Sequence, residues 1–323
     1  VLTPPAPGPQ PTPFAPPVAP EVYRIEYGIR TEDDWHRLWM PVPRIWDSNS
    51  MRDLELGAIT PTPSDLYWAP KGTQIGYWEL SPGKAVTVTQ IFTVELSGTS
   101  YDLDETMEWS PYDTTSELYR RYTQPTQWAQ SDHPLIAAKA QEIVGAETNP
   151  YRMAKAIHWW VTTEISGEWA GSDAVSTLLQ QGADCAGHSN LFAALCRSVG
   201  IPARNVAGFV GIKSGFYRSE ETPGHVWSEF YLPDYGWVQV DASGSHRFPG
   251  IGDRRLVLSR GNDMRPGHGH PCTPLSWMHG PQSDDLNASN PPCQTWGEGI
   301  WLAVDAVPKE LVYLPVVIRY SDN

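Results

Sequence analysis

The sequence predicts an α+β fold: a helix carrying a cysteine packs on an antiparallel sheet, and an all-β region precedes it. Three observations predict this. From residue 21 to about residue 103, apolar residues alternate in short runs separated by turn clusters such as TPTPSD, APKGTQ and SPGK. The period then changes to that of amphipathic helices. Finally a helix ending in Val199-Gly200-Ile201-Pro202 is followed by three strands in series, two of them joined by the tight turn PDYG.

The first twenty residues contain nine prolines and read as an extended polyproline stalk or linker. The chain opens without Met and reads as a mature chain whose targeting segment has been removed, so the stalk either spaces the fold from a surface anchor or is a plain tail. Residues 21–125 read as a β-sandwich-like domain, with strands in VYRIEYGI, LWMPVP and AVTVTQIFTVEL. Within residues 126–260, HPLIAAKAQEIVG is a short amphipathic helix. Asn149 and Pro150 supply an N-cap and a first-turn proline for the helix YRMAKAIHWWVTTEI. DAVSTLLQQG reads as a helix ended by Gly182. Asp184 is an N-cap for the next helix, whose apolar stripe is Leu191, Leu195 and Val199, and Gly200 supplies its left-handed end. The strands RNVAGFVGI, HVWSEFYL and GWVQVDAS follow, and RRLVLSRG reads as one more. Residues 261–323 form a C-terminal extension, loop-like to about residue 300, with terminal strands in WLAVDAV and ELVYLPVVIRY.

The 323 residues carry a formal charge of -14, which repels phosphate backbones and argues against a nucleic-acid partner. No apolar stretch approaches the length of a membrane span. Cys185 and Cys196 lie eleven residues apart on one predicted helix, about 16 Å at its rise, beyond the roughly 7 Å limit for a disulfide. Cys272 and Cys293 bracket a Pro- and Ser-rich loop and are disulfide partners if the compartment is oxidising.

Cys185 falls in the first turn of its helix, where the dipole and free N–H groups favour negative charge. A cysteine nucleophile needs a histidine within reach, and the histidine needs a group to hold its ring. His225 starts one strand of the predicted hairpin and Asp241 ends the other, so pairing around PDYG makes them cross-strand neighbours. Cys196 reads as core. His188, on a similar helix face to Cys185, reads as cleft lining or packing, with a competing role as base as the alternative. Trp227, Glu229 and Trp237 read as packing and polar support. His158 and Trp159-Trp160 read as core or interface. His268, His270, Cys272 and His279 invite a zinc reading, but their spacing matches no regular motif. Asn287-Ala288-Ser289 fits a glycosylation sequon. Lys213 to Gly224, rich in Gly, Ser and charge, reads as a mobile loop beside His225.

The blocks DCAGHSNLFAALCRSVGIPAR and HVWSEFYLPDYGWVQVDAS resemble the transglutaminase-like superfamily, whose pattern is a cysteine at a helix start, an apolar helix ending in GIPAR, then H-x-W-x-E and GW-x-x-x-D. The resemblance covers about residues 130–260 and implies a papain-like core, which makes 126–260 a transglutaminase-like catalytic domain. The upstream β region resembles the sheet domain that precedes this core in bacterial members. By the resemblance Cys185 is the nucleophile, His225 the general base and acid, and Asp241 the residue orienting His225. The thiolate would attack an amide carbonyl of a protein or peptide and form a thioester, which passes to water or to an amine. The oxyanion-hole side chain is open, with Trp169, Gln180 and Gln181 as candidates beside the Cys185 backbone N–H. No cofactor or metal is implied. A secreted or surface-exposed location is expected. The alternatives are a catalytically inactive transglutaminase-like binding module at the cell surface, and a metal-stabilised extracellular module.

Overall fold

The structure, a computed structural model, describes residues 18–308 apart from 34, 45–49, 71, 219–223, 245, 277, 279 and 284–299. Residues 1–17 of the stalk, His279, Cys293, the sequon at Asn287 and the strand expected over 310–320 lie outside the described residues.

The N-terminal region is β, as its alternation predicts. It holds β1 (Glu21–Arg30), β2 (Arg37–Val42), β3 (Met51–Thr60), β4 (Asp65–Trp68), β5 (Gln74–Glu79) and β6 (Thr87–Leu96). Three helices follow: α1 (Glu117–Thr123), α2 (Pro134–Val144) and α3 (Pro150–Glu164). Then come β7 (Ser166–Gly171), α4 (Ala174–Gln180), the short β8 (Gly182–Ala183) and α5 (Cys185–Ser198). The strands β9 (Ala203–Val210), β10 (Gly215–Arg218), β11 (Gly224–Leu232), β12 (Gly236–Val240) and β13 (Arg255–Arg260) complete the region. The C-terminal segment adds β14 (Gln282–Ser283) and β15 (Ile300–Ala306).

Three sheets organise the chain. One has the order β10-β15-β1-β6-β3, a second β14-β2-β5-β4, and a third β12-β11-β9-β13. The third lies between two cores. On one side α2, α3 and α5 bring Ile136, Ile157, Leu191, Phe192 and Leu195 against Phe230, Leu232, Val238 and Val240. On the other, Phe209, Trp227 and Leu256 pack with Tyr27, Phe92 and Leu302 of the first sheet and Leu38 and Trp78 of the second. Burial on both faces explains why all six residues of β13, all but one of β9 and most of β11 are withdrawn from solvent. At Gly208 an added Cβ would lie 1.8 Å from the Leu256 carbonyl oxygen, so only glycine allows the close β9–β13 approach.

The topology departs from the divisions drawn along the sequence. β15, from the segment beyond residue 260, pairs with β1 from Tyr23↔Ala306 to Ile29↔Ile300. β14 pairs with β2. The C-terminal extension is therefore part of the N-terminal sheets, because strand pairing follows exposed edges rather than chain order. Residues 215–218, expected to be mobile, form β10 and pair with β15. Val18, counted with the stalk, is already tied to the fold: its N–H donates to Gly252 O and its carbonyl accepts from Gly98 N–H, both at 2.9 Å. Among the described residues, no helix is long and apolar enough to cross a membrane.

Candidate active site

The helix carrying Cys185 starts where its cap predicts. Asp184 is extended, at φ -76° and ψ -175°, and its carboxylate accepts the Gly187 N–H at 2.9 Å. Gly187 is required there, since a Cβ would lie 2.5 Å from Ala183 Cβ and 2.6 Å from the Gly171 carbonyl oxygen. The preceding turn differs from expectation. α4 ends on Gln181, which is left-handed at φ 53°, while Gly182 enters β8. Gly182 serves close packing instead: a Cβ there would meet the Glu168 carbonyl oxygen at 2.8 Å. Cys185, half-buried, packs with Ala186, Ala207 and Val226, so its helix end rests on β9 and β11.

β11 and β12 form the predicted hairpin, pairing from Ser228↔Val240 to Leu232↔Gly236. Continuing that register sets His225 opposite Ser243 and Asp241 opposite Trp227. His225 and Asp241 are therefore diagonal neighbours rather than directly opposed, and their side chains still meet, with Nε2–H of His225 donating to Asp241 Oδ2 at 2.9 Å. That bond leaves the other ring nitrogen for the Cys185 side chain, with which His225 also interacts. Burial opposes protonation of His225, but the bonds and charges of Asp241 and Cys185 outweigh it and raise its pKa to about 9.

Asp241 is buried and fully engaged. Oδ1 accepts the Ser243 N–H at 3.1 Å and the Ser243 hydroxyl at 2.8 Å. Oδ2 accepts from His225 and from Arg255 Nη2, the latter at 2.8 Å. Burial would raise the Asp241 pKa, but the Arg255 charge and the His225 bond hold it far below the usual carboxylate range. His158 on α3 holds the main chain of the same residue: its Nε2–H donates to the Asp241 carbonyl at 3.0 Å. Burial lowers the His158 pKa to about 4, so the ring is neutral.

Cys185, His188, His225 and Ser243 line one open cleft of about 260 Å³, walled by Ile165, Gly167 and Gly244. Of the residues singled out from sequence, the fold thus brings Cys185 and His225 to one cleft and Asp241 to the back of His225. His188 lines the cleft, and its ring nitrogens lie 2.8 Å from the Asp184 carbonyl and 3.3 Å from the Ile165 carbonyl, so both face main-chain oxygens. Trp169, Gln180 and Gln181 are exposed and are not among the residues lining the cleft. The Cys185 N–H, at the open start of α5, remains as a main-chain donor.

The supporting residues behave as packing and framework. Glu229 is fully buried between Arg204, at 2.7 Å, and Arg260, at 2.9 Å, with Trp227 buried beside it. Cys196 lies in the helical core, and burial pushes its thiol pKa up. Cys272 is disulfide-bonded and so offers no thiolate to a metal, and His268 Nε2 is taken by Asp65 at 2.8 Å. Among the described residues no cluster of three or more His, Cys, Asp or Glu could hold a metal ion.

Sequence reasoning missed Arg255 and Ser243, and read His158 as core without its bond to the Asp241 main chain. Ser243 lay within the matched block, two residues past Asp241, a spacing at which a hydroxyl folds back onto the carboxylate. Arg255 heads an apolar strand and reaches Asp241 across two intervening strands, so no local signal marks it.

The comparisons with known proteins fall on the same stretch. A model described as the transglutaminase-like superfamily matches residues 137–242. An uncharacterized protein of Haemophilus influenzae is 32% identical over 125 residues, 32% of this chain and 34% of that protein. A protein-glutamine gamma-glutamyltransferase of Pseudomonas aeruginosa is 28% identical over 120 residues, 34% of this chain and 18% of that protein. The chain therefore spans about a third or less of the curated relatives it matches. A solved structure from Cytophaga hutchinsonii, provisionally titled a cysteine protease, shares the fold at TM-score 0.56 and 16% identity, over 89% of this chain and 98% of its own. The stretch that brings α5 onto the β11–β12 hairpin is thus the one matched by the family, and the chain carries a domain of the transglutaminase-like superfamily.

Proposed function

We propose that the protein is a cysteine acyl-transfer enzyme acting on amide bonds of proteins or peptides. One observation carries this reading: Cys185 and His225 line a single open cleft, and His225 is held from behind by Asp241 at 2.9 Å. Cys185 Sγ, having given its proton to His225, attacks the amide carbonyl. The C–N bond breaks as His225 returns that proton to the leaving amine, and a thioester remains on Cys185. Water then attacks, with His225 taking its proton; the acyl C–S bond breaks, the acid leaves, and His225 returns the proton to Cys185 Sγ. A primary amine in place of water makes the reaction a transamidation. Asp241 orients the ring and stabilises its charged form. The Cys185 N–H faces the developing oxyanion.

Hydrolysis is the favoured outcome, because the cleft is open and admits water. The protein is also proposed to work outside the cytoplasm, since Cys272 is disulfide-bonded and such bonds persist in oxidising compartments. Its net charge of -14 disfavours nucleic acid as a partner.

The test is acyl-enzyme trapping. The protein is mixed with p-nitrophenyl acetate, quenched in acid and mapped by mass spectrometry. Acetylation of Cys185 that is lost in Cys185→Ala and slowed at least about 100-fold in His225→Ala supports the assignment. An unreactive Cys185 in folded protein refutes it and leaves a binding module. Adding a primary amine then partitions the thioester between hydrolysis and transfer.

A further inference from the structure

We propose that Arg255 is a fourth, positioning member of the site: it fixes the Asp241 carboxylate and shares its charge, and so limits how strongly Asp241 holds a proton on His225. The proposal deepens the acyl-transfer reading and rests on it. Arg255 begins β13, at the far edge of the sheet from β12. Its guanidinium lies 5.1 Å from the Trp227 ring centre and reaches Asp241 Oδ2 at 2.8 Å, the oxygen that accepts from His225 at 2.9 Å. Arg255 Nε donates to Asp253 at 3.0 Å, which anchors the fork at its root. The Arg255 side chain is only 8% exposed, so the pair is poorly screened.

Two features separate this from an ordinary structural ion pair. Both cations converge on one carboxylate oxygen, so each weakens the hold on the other. Furthermore, Arg255 Nη1 is buried without a hydrogen-bond partner among the described residues, a cost that an apolar residue stacked on Trp227 would avoid. With Arg255 present, Asp241 stays ionised and in one orientation. Without it, the whole negative charge faces His225, which holds its proton to higher pH and returns it less readily to a leaving amine.

Among the described residues, the charged and titratable groups around His225 come from four elements packed on it. Cys185, Asp184 and His188 come from the start of α5, His158 from α3, Asp241 from the end of β12, and Arg255 with Asp253 from the start of β13. Of these, Arg255 is the group that adds positive charge directly to Asp241 Oδ2 beside His225.

The experiment is the NMR titration of the His225 ring in full-length protein, assigned by its loss in His225→Gln. Wild type, Arg255→Met and Arg255→Lys are compared, with the rate of Cys185 acetylation by p-nitrophenyl acetate measured across pH. Removing a charge at this range moves the midpoint by roughly one pH unit or more. Arg255→Met is therefore expected to raise the midpoint by about that much, and Arg255→Lys, which keeps the charge, to stay near wild type. If Arg255→Met does not fold, Arg255→Gln takes its place. Equal midpoints in folded wild type and the neutral variant overturn the proposal, as does an equal rise in Arg255→Lys, which would mean loss of shape rather than charge. The titration does not depend on turnover. A shifted midpoint in a protein whose Cys185 never acylates would refute the enzymatic reading alone.

Discussion

Removing the His225 ring should change the pH dependence of stability in a direction fixed by its surroundings. In the folded protein the His225 pKa rises from 6.5 to about 9, with the side chain 20% exposed and bonded to Asp241. A pKa raised on folding stabilises the protein fully below the unfolded value. Here that contribution is about 3 kcal/mol at pH 6, declines by about 1.4 kcal/mol per pH unit above 6.5, and is gone once pH passes about 9. The perturbation is His225→Gln, which can still donate to Asp241 but cannot titrate. Urea unfolding of both proteins at pH 6, 7.5, 9 and 10 gives the stability gap at each pH, and titrating groups distant from His225 largely cancel in the difference. The gap should shrink by about 3 kcal/mol from pH 6 to pH 10. A gap constant to within about 0.5 kcal/mol, or one that widens with pH, would show that Asp241 does not hold His225 charged, and the proposed ion-paired site would fail with it.

Three further outcomes are expected. Asp184→Ala removes the cap on α5 and should lower stability by about 1 kcal/mol, while slowing Cys185 acetylation more than an equally destabilising change in the N-terminal sheet. Glu229→Ala leaves Arg204 and Arg260 buried without their carboxylate and should cost about 3–5 kcal/mol in chemical denaturation; a loss under 1 kcal/mol would contradict the burial. Gly187→Ala drives a methyl toward Ala183 and the Gly171 carbonyl, so the start of α5 must move, and Cys185 reactivity should fall well before the protein unfolds in a thermal scan.

Caps and tight turns, which act over a few residues, are legible in this sequence. Asn149 caps α3 through the Tyr151 and Arg152 N–H groups, at 3.0 and 3.2 Å, as Asn-Pro at a helix start predicts. Asp184 and Gly200 bound α5, and Gly200 is left-handed at φ +81°. The hairpin through Pro233–Gly236 set His225 and Asp241 close together, because a tight turn transmits register without help from the rest of the fold. Short or irregular elements were not legible. α1 and β7 carry no clear local signal, and the helix end that Gly182 marks in the sequence falls one residue earlier, on Gln181. Nearness to Cys185 in the chain makes Trp169, Gln180 and Gln181 candidates, and all three are exposed in the fold.

By itself, then, the sequence determined the α+β class, the helix that presents Cys185 and the hairpin that joins His225 to Asp241, because caps, periodicity and turns act over a few residues. Tertiary structure alone decided three things. It returned β15 to the N-terminal sheet, where its residues pair with β1 across the whole intervening chain, from Tyr23↔Ala306 to Ile29↔Ile300. It turned the 215–218 segment into an edge strand. It brought Arg255 and His158 onto Asp241 from different elements. Those contacts depend on which edges and faces the assembled layers leave to be covered, and no local pattern of residues carries that information.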